Sequence, residues 1–262
     1  MRRILLTAPD YGLAFGVDRA QRELVAAGLL SAVGCMVVSD LWTREYLPLR
    51  DTVDAARHET RVGLTVTLCG PHAPLSGAAR ERFGETFPGP FWWRWRSALR
   101  LLPEEVLAAE VDAQFHRFED YYQRPADFVH VGDDLMAVPR VAQVVLRQAS
   151  QRAMPPQVIA PGKGRRGLRA LHRAAEALGL EVRPRGPGFP FPGAQADLRA
   201  HVWRGLNGVP DGAVVMCQPG EADDRLRRSE PPVAQAARAE LFGFLKSEEF
   251  SLLLVEKDIF LY

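Results

Sequence analysis

The chain has 262 residues, of which 47% are hydrophobic and 25% charged, and its 33 Lys and Arg against 32 Asp and Glu leave a net charge of +1. That is ordinary globular composition, and basic residues scattered among acidic ones give no electrostatic case for nucleic acid. No apolar run approaches the length of a membrane span and no signal-peptide pattern opens the chain, so no membrane partner and a cytoplasmic location are expected. Three widely spaced cysteines, Cys35, Cys69 and Cys217, each lie within or at the end of an apolar run. They read as small buried hydrophobes in a reducing compartment, with no pairing that suggests zinc.

In chain order, short apolar strands are predicted at 3–7, 32–38, 62–68, 128–131, 157–160, 180–183, 213–217 and 251–255. Helical patterns fall between them at 17–27, 44–58, 103–122, 141–152, 168–178, 198–206 and 232–246. Strands alternating with helices imply parallel pairing through crossovers, and eight of them favour a single barrel-like α/β domain over 1–262. Two segments interrupt the alternation. Residues 71–102 contain "FPGPFWWRWRSALRLL", and 183–197 contain the Pro- and Gly-rich "RPRGPGFPFPGA", which is expected to form no regular element. In a barrel such insertions sit over the mouth. Trp92, Trp93 and Trp95 then read either as a helix burying its apolar face on the barrel or on a second copy in a homodimer, or as a stacking platform for a sugar ring.

Four polar stretches fall at the C-terminal ends of predicted strands, where a barrel builds its site. They are "TAPDYG", "VGLTVTL", "FVHVGDDLMAVP" and "MCQPGEADD". They supply Asp10, Thr65, His130, Asp133, Asp134, Gln218, Glu221 and Asp223 as candidates. Clustered carboxylates suit a hard cation or an acid/base pair, whereas acidic loops also serve simply as solvated or helix-capping segments. "APGKGRRG" (160–167) follows a strand and opens a helix, so its amides and Lys163 suit a phosphate; a solvated basic loop is the plainer reading.

These motifs, with "GVDRAQRELVAAGLLSAVGCMV", "VPDGAVVMCQPG" and "RAELFGFLKSEEF", resemble the YdjC-like (ChbG/HpnK) carbohydrate deacetylases over nearly the whole chain. The resemblance implies a distorted, TIM-like (β/α) barrel and removal of an acetyl group from an amino sugar with a divalent metal. It also implies an ADDFG motif on the first strand, with a base and a metal ligand. Here Pro9 stands at the base and Asp10 keeps the ligand. The family's metal-binding histidines fall on Thr65 and Gly132, and the acidic first position of its fourth-strand motif is His130. The other two histidines of that motif fall on Asp134 and Met136, and the histidine of its late motif falls on Gln218.

Proline and glycine bring no side-chain donor or acceptor, and a zinc site normally needs three protein ligands, so no metal is expected by the family route. Asp10, Asp134, His130 and Asp133 are the candidate catalytic groups, with Asp10 and Asp134 read as a carboxylate pair that would work as acid and base or hold Mg²⁺ or Ca²⁺. Tyr11, Thr65, Gln218, Glu221 and Trp92 are the candidate substrate-binding groups for a small carbohydrate-like ligand. Three functions follow: a site re-purposed for another reaction on a sugar-like or polyhydroxylated metabolite, a non-catalytic glycan- or partner-binding protein, and a deacetylase with an altered site.

Overall fold

A computed structural model describes residues 1–162, 165–189 and 197–262, without the side chains of Arg165 and Arg166. Lys163 of the basic loop and residues 190–196 of the second insertion lie outside the described residues. The described residues form two compact units. One comprises residues 1–35, 41–62 and 184–262; the other comprises 36–40 and 63–183.

The first unit is organised by β1 (Arg2–Tyr11), whose apolar run Ile4, Leu5, Leu6 is buried. It pairs in parallel with β2 (Ala32–Cys35), β7 (Val214–Met216) and β8 (Ile259–Leu261). A strand buried on both faces reads as a continuous apolar run, which is why the sequence signal at 3–7 was legible. Around it stand α1 (Phe15–Ala26), α2 (Trp42–Ala55), α8 (Leu198–Gly205), α9 (Asp224–Ser229), α10 (Pro232–Leu245) and α11 (Glu248–Glu256).

In the second unit β3 (Arg61–Val66, from Gly63 onward), β4 (Phe128–Val131), β5 (Gln157–Ile159) and β6 (Val182–Arg183) pair in sequence, again in parallel. The intervening helices are α3 (Gly77–Phe83), α4 (Pro90–Ala98), α5 (Glu104–Tyr122), α6 (Pro139–Ser150) and α7 (Arg165–Glu176). The expected class therefore holds: α/β with parallel strands, of the distorted (β/α) barrel type.

Two elements differ from expectation. Residues 251–255 form no strand but lie in α11, where Ser247 Oγ accepts from the Phe250 amide and Glu248 and Glu249 occupy the first turn. A cap and acidic residues at the positive end of the helix dipole favour helix. Phe250 and Leu253 are buried while Leu252 and Val255 are exposed, a helical spacing that the unbroken apolar run concealed. The last strand follows at Ile259–Leu261 instead.

Part of the Pro- and Gly-rich segment is also more regular than its composition suggested. Pro184 O accepts from Val214 N, and Gly186 N and Phe189 N donate to Val214 O and Met216 O, so 184–189 runs beside β7. Gly188 has φ +71°, and a Cβ there would lie 2.9 Å from Met216 O, so a side chain would disrupt this approach.

The insertion at 71–102 is anchored within its own unit by α5. Glu110, 1% exposed, accepts from Leu75 N and from Ser76 N at 2.8 Å. Gln114 accepts from Thr67 N at 2.9 Å and donates to Thr67 O at 2.8 Å. These two side chains satisfy the backbone of the chain leaving β3, which carries no ladder of its own there.

Candidate functional site

In the first unit the candidate groups surround the end of β1. Asp10 is 6% exposed and each of its oxygens accepts a hydrogen bond. Oδ1 accepts from Gln21 Nε2 and Oδ2 from Arg238 Nη1, both at 2.7 Å. Arg238, whose side chain is 1% exposed, forks onto Glu230 as well, through Nε at 2.8 Å and Nη2 at 2.6 Å. Burial opposes its charge, but Asp10 and Glu230 more than offset this and hold the guanidinium above the ordinary arginine value. Arg238 is thus a desolvated cation held between two carboxylates. The Gln218 carbonyl lies 3.5 Å from its Nη1.

Tyr11 is fully buried. Its hydroxyl donates to the Glu45 carbonyl at 2.8 Å and accepts from Arg22 Nη1 at 2.7 Å, and Arg22 also pairs with the Glu45 carboxylate. Glu221 is ion-paired with Arg19 at the surface. Asp223 is the cap of α9, accepting from Leu226 N at 2.8 Å, and its other oxygen accepts from Gly16 N at 2.8 Å. Burial opposes its charge, yet these backbone donors hold its carboxyl below the usual range.

Asp18 is a further buried acid beside this group, with Oδ1 accepting from Gly12 N at 2.6 Å and Oδ2 buried without a partner among the described residues. Burial pushes its carboxyl well above the usual range; the Gly12 amide and Arg22 oppose this, while Glu45 and Asp10 add to it. The folded chain then keeps a proton that the unfolded chain releases near pH 4, so Asp18 favours folding fully only below that point. Its contribution is lost as pH rises toward the folded value, by up to about 1.4 kcal/mol per unit. Asp18→Asn retains the acceptor for Gly12 and cannot ionise. It is expected to match the parent near pH 4 and to exceed it in urea resistance at pH 8; parallel stability profiles across that range would contradict this assignment.

In the second unit Thr65 on β3 and His130 on β4 are register partners, 4% and 7% exposed. Thr65 Oγ1 is buried with no hydrogen-bond partner among the described residues. β4 ends in a kinked 3-10 stretch, Gly132–Ala137, in which Asp133 and Asp134 both take left-handed backbone angles, φ 54° and 55°. Two successive non-glycine residues in that region are uncommon, and aspartate is one of the side chains that tolerate it. Asp134 Oδ1 accepts from Gly162 N at 2.8 Å. Asp133 faces the Cys69 thiol, which burial and this carboxylate both push up, and its carbonyl accepts from Arg94 Nη2 at 3.1 Å. Neither aspartate caps α6, whose cap position is Val138.

Trp92 is half-buried, edge-on to Phe83 and Trp93 with centroids 5.4 and 5.0 Å away, and Arg96 lies 5.3 Å over its ring. Trp93 is fully buried and its indole donates to Leu68 O at 2.8 Å. Iodide should therefore quench the tryptophan fluorescence only in part.

Arg238, Gln21 and Asp18 sit on helices and Glu230 on the link between α9 and α10, so no strand end points to them. A signal was present for Arg238. It occupies the buried stripe of α10 with Ala234, Ala237, Leu241 and Leu245, where a lone charge requires a partner. Among the described residues no three His, Cys, Asp or Glu side chains are grouped so as to hold a metal ion, and no helix is long and apolar enough to cross a membrane.

A family model described as YdjC-like protein matches residues 3–256. The chain belongs to the YdjC-like family. A crystal structure from Enterococcus faecalis V583, described as a candidate cellobiose-phosphate cleavage protein, is similar to this YdjC-like chain with a TM-score of 0.81. Identity is 14%, covering 100% of this chain and 97% of that one, and at that level the likeness shows a shared fold. D-psicose 3-epimerase with D-tagatose, from Clostridium cellulolyticum H10, aligns at 9% identity over 97% of this chain and 99% of that one, but with a TM-score of only 0.40. The comparison with curated proteins found no match.

Proposed function

We propose that this YdjC-like chain has given up metal-assisted deacetylation and serves a sugar-like or polyhydroxylated small molecule with polar groups of its own. The observation that supports this reading is the ion pair of Asp10 with Arg238. A metal cation on Asp10 would stand beside the buried guanidinium of Arg238, a like charge that already takes this carboxylate's attraction, while Gln21 holds its other oxygen.

The other positions fit a metal no better. Thr65 offers a neutral hydroxyl where the resemblance asks for imidazole, and Gly132 offers nothing. Packing does not demand glycine there: a Cβ on Gly132 would meet only Val66 O, at 3.6 Å. Pro9, at the family's base position, cannot take a proton.

On this reading His130, Asp133 and Asp134 carry the proton chemistry and Thr65 and Trp92 contribute ligand contacts. In the first unit Gln218 and Glu221 are the ligand contacts, and the bonds of Asp10 and Tyr11 to Gln21, Arg238 and Arg22 hold the end of β1. A carbohydrate-like ligand is favoured by the family and by the description of the Enterococcus protein. A purely binding role is the second reading, favoured by the same ion pair, because both oxygens of Asp10 are already engaged by Gln21 and Arg238.

The test is acetate release from N-acetylated amino sugars, and turnover of a glycoside panel, each with and without chelator. No acetate release is expected under either condition, and a polyhydroxylated ligand should raise the melting temperature. Where turnover is found, Asp134→Asn should lower it by roughly 10²–10⁴-fold. Binding without turnover would select the second reading. Chelator-sensitive acetate release would overturn both.

A further inference from the structure

The second unit carries an exposed apolar stripe that its own packing leaves uncovered. On α4, Phe91 and Trp95 are 78% and 49% exposed and stand one turn apart; Leu99 and Leu101, just beyond the helix, are 49% and 50% exposed. Isolated exposed hydrophobics need no explanation, but four large ones within eleven residues form a patch that has a use. Trp93 and Phe83 account for the opposite, buried side of the helix.

Charge decides what covers this stripe. Residues 86–103 contain three arginines and no acidic residue. Among the described residues no carboxylate pairs with Arg94, Arg96 or Arg100: Arg94 reaches the Asp133 carbonyl, and Arg96 donates to Leu101 O and lies over Trp92. Arg94 and Arg100 line an open cleft of about 360 Å³ together with Arg140 and with Val138 and Pro139 at the start of α6. Arg140 is partly neutralised by Glu104, so Arg94 and Arg100 supply the free charge. A second copy meeting the same stripe across a two-fold axis would set arginine against arginine with no carboxylate between them.

We propose that the α4 face docks on an anionic phospholipid surface. Phe91, Trp95, Leu99 and Leu101 enter the headgroup–acyl boundary, and Arg94 and Arg100 take up lipid phosphates. Aromatic side chains with a polar edge suit that depth, and the guanidinium groups remain at headgroup level. The expectation of no membrane then holds only for spanning helices.

The test is co-sedimentation of the full chain with vesicles of phosphatidylcholine alone and of phosphatidylcholine with roughly one-third phosphatidylglycerol. Binding is expected only to the anionic vesicles and should weaken as salt is raised. Arg94→Gln with Arg100→Gln should reduce it by roughly 30-fold, and Phe91→Ser with Trp95→Ser should abolish it. These side chains are exposed, so melting temperatures should stay at the parent value; Leu101→Ser, at the open end of the stripe, provides a weaker loss free of any effect on α4. Three results would each overturn the proposal: equal pelleting with both vesicle types, no pelleting with either, or a solution dimer that Trp95→Ser dissolves.

Discussion

Replacing Arg238 by Met is expected to cost about 3–5 kcal/mol of folding stability, a fall of roughly 10 °C in melting temperature. The reason is asymmetry. The intact set of Asp10, Arg238 and Glu230 gains little over an apolar one of similar volume, because desolvating three charges offsets most of their attraction. Removing the cation alone leaves Asp10 buried with its charge and one oxygen unpartnered, beside a Glu230 that is only 17% exposed. Asp10→Asn in the same chain removes one of those stranded charges, so the double variant should regain a substantial part of the loss. Urea unfolding of the parent, both single variants and the double variant measures this coupling directly. An Arg238→Met chain within about 0.5 kcal/mol of the parent would show that the guanidinium is not holding the site. The same geometry means that Asp10→Asn cannot be a neutral probe of charge, since it removes one of the two carboxylates that a buried arginine pairs with.

Trp93→Ala should cost a similar amount, about 3–5 kcal/mol. Its indole is fully buried, packs against Phe83 at 5.5 Å and Trp92, and donates to the Leu68 carbonyl at the exit of β3. Truncation opens a cavity and also strands that carbonyl, two losses that act together. Trp93→Phe retains most of the ring and loses the donor, so it should fall between the parent and Trp93→Ala. Chemical denaturation of the three proteins orders them. Equal stabilities would mean that α4 is not anchored through Trp93. The exposed Trp95 on the same helix should tolerate Ser without loss of stability, which separates the anchoring face from the docking face.

Much of the fold was legible because local rules carried it. The first strand, α5, α6 and α10 have long, strongly periodic or fully apolar patterns, and their ends came within a few residues of those observed. Residues 251–255 misled because four consecutive apolar residues fit a buried strand and a helix equally well, and the deciding features were a cap at Ser247 and burial at three-residue spacing. α3 and α9 are too short to show a period, yet Ser76 and Asp223 cap them as their residue types allow. The family, too, was readable from ordered motifs.

The sequence by itself determined the α/β class, the family, and the places where strands end in polar residues. All of these follow from residue identity and order along the chain. Only the tertiary structure decided what Asp10 is bonded to. Its partner Arg238 lies 228 residues away, and no periodicity connects a strand end with a helix that far along the chain. Burial then did the rest, because a desolvated carboxylate must find a cation and a desolvated guanidinium must find anions. The direction of the tryptophan-rich helix was settled in the same way. "FWWRWR" allows either face inward, and the choice of Trp93 for the core and Phe91 and Trp95 for the surface rests on Phe83 and the Leu68 carbonyl being there to receive it.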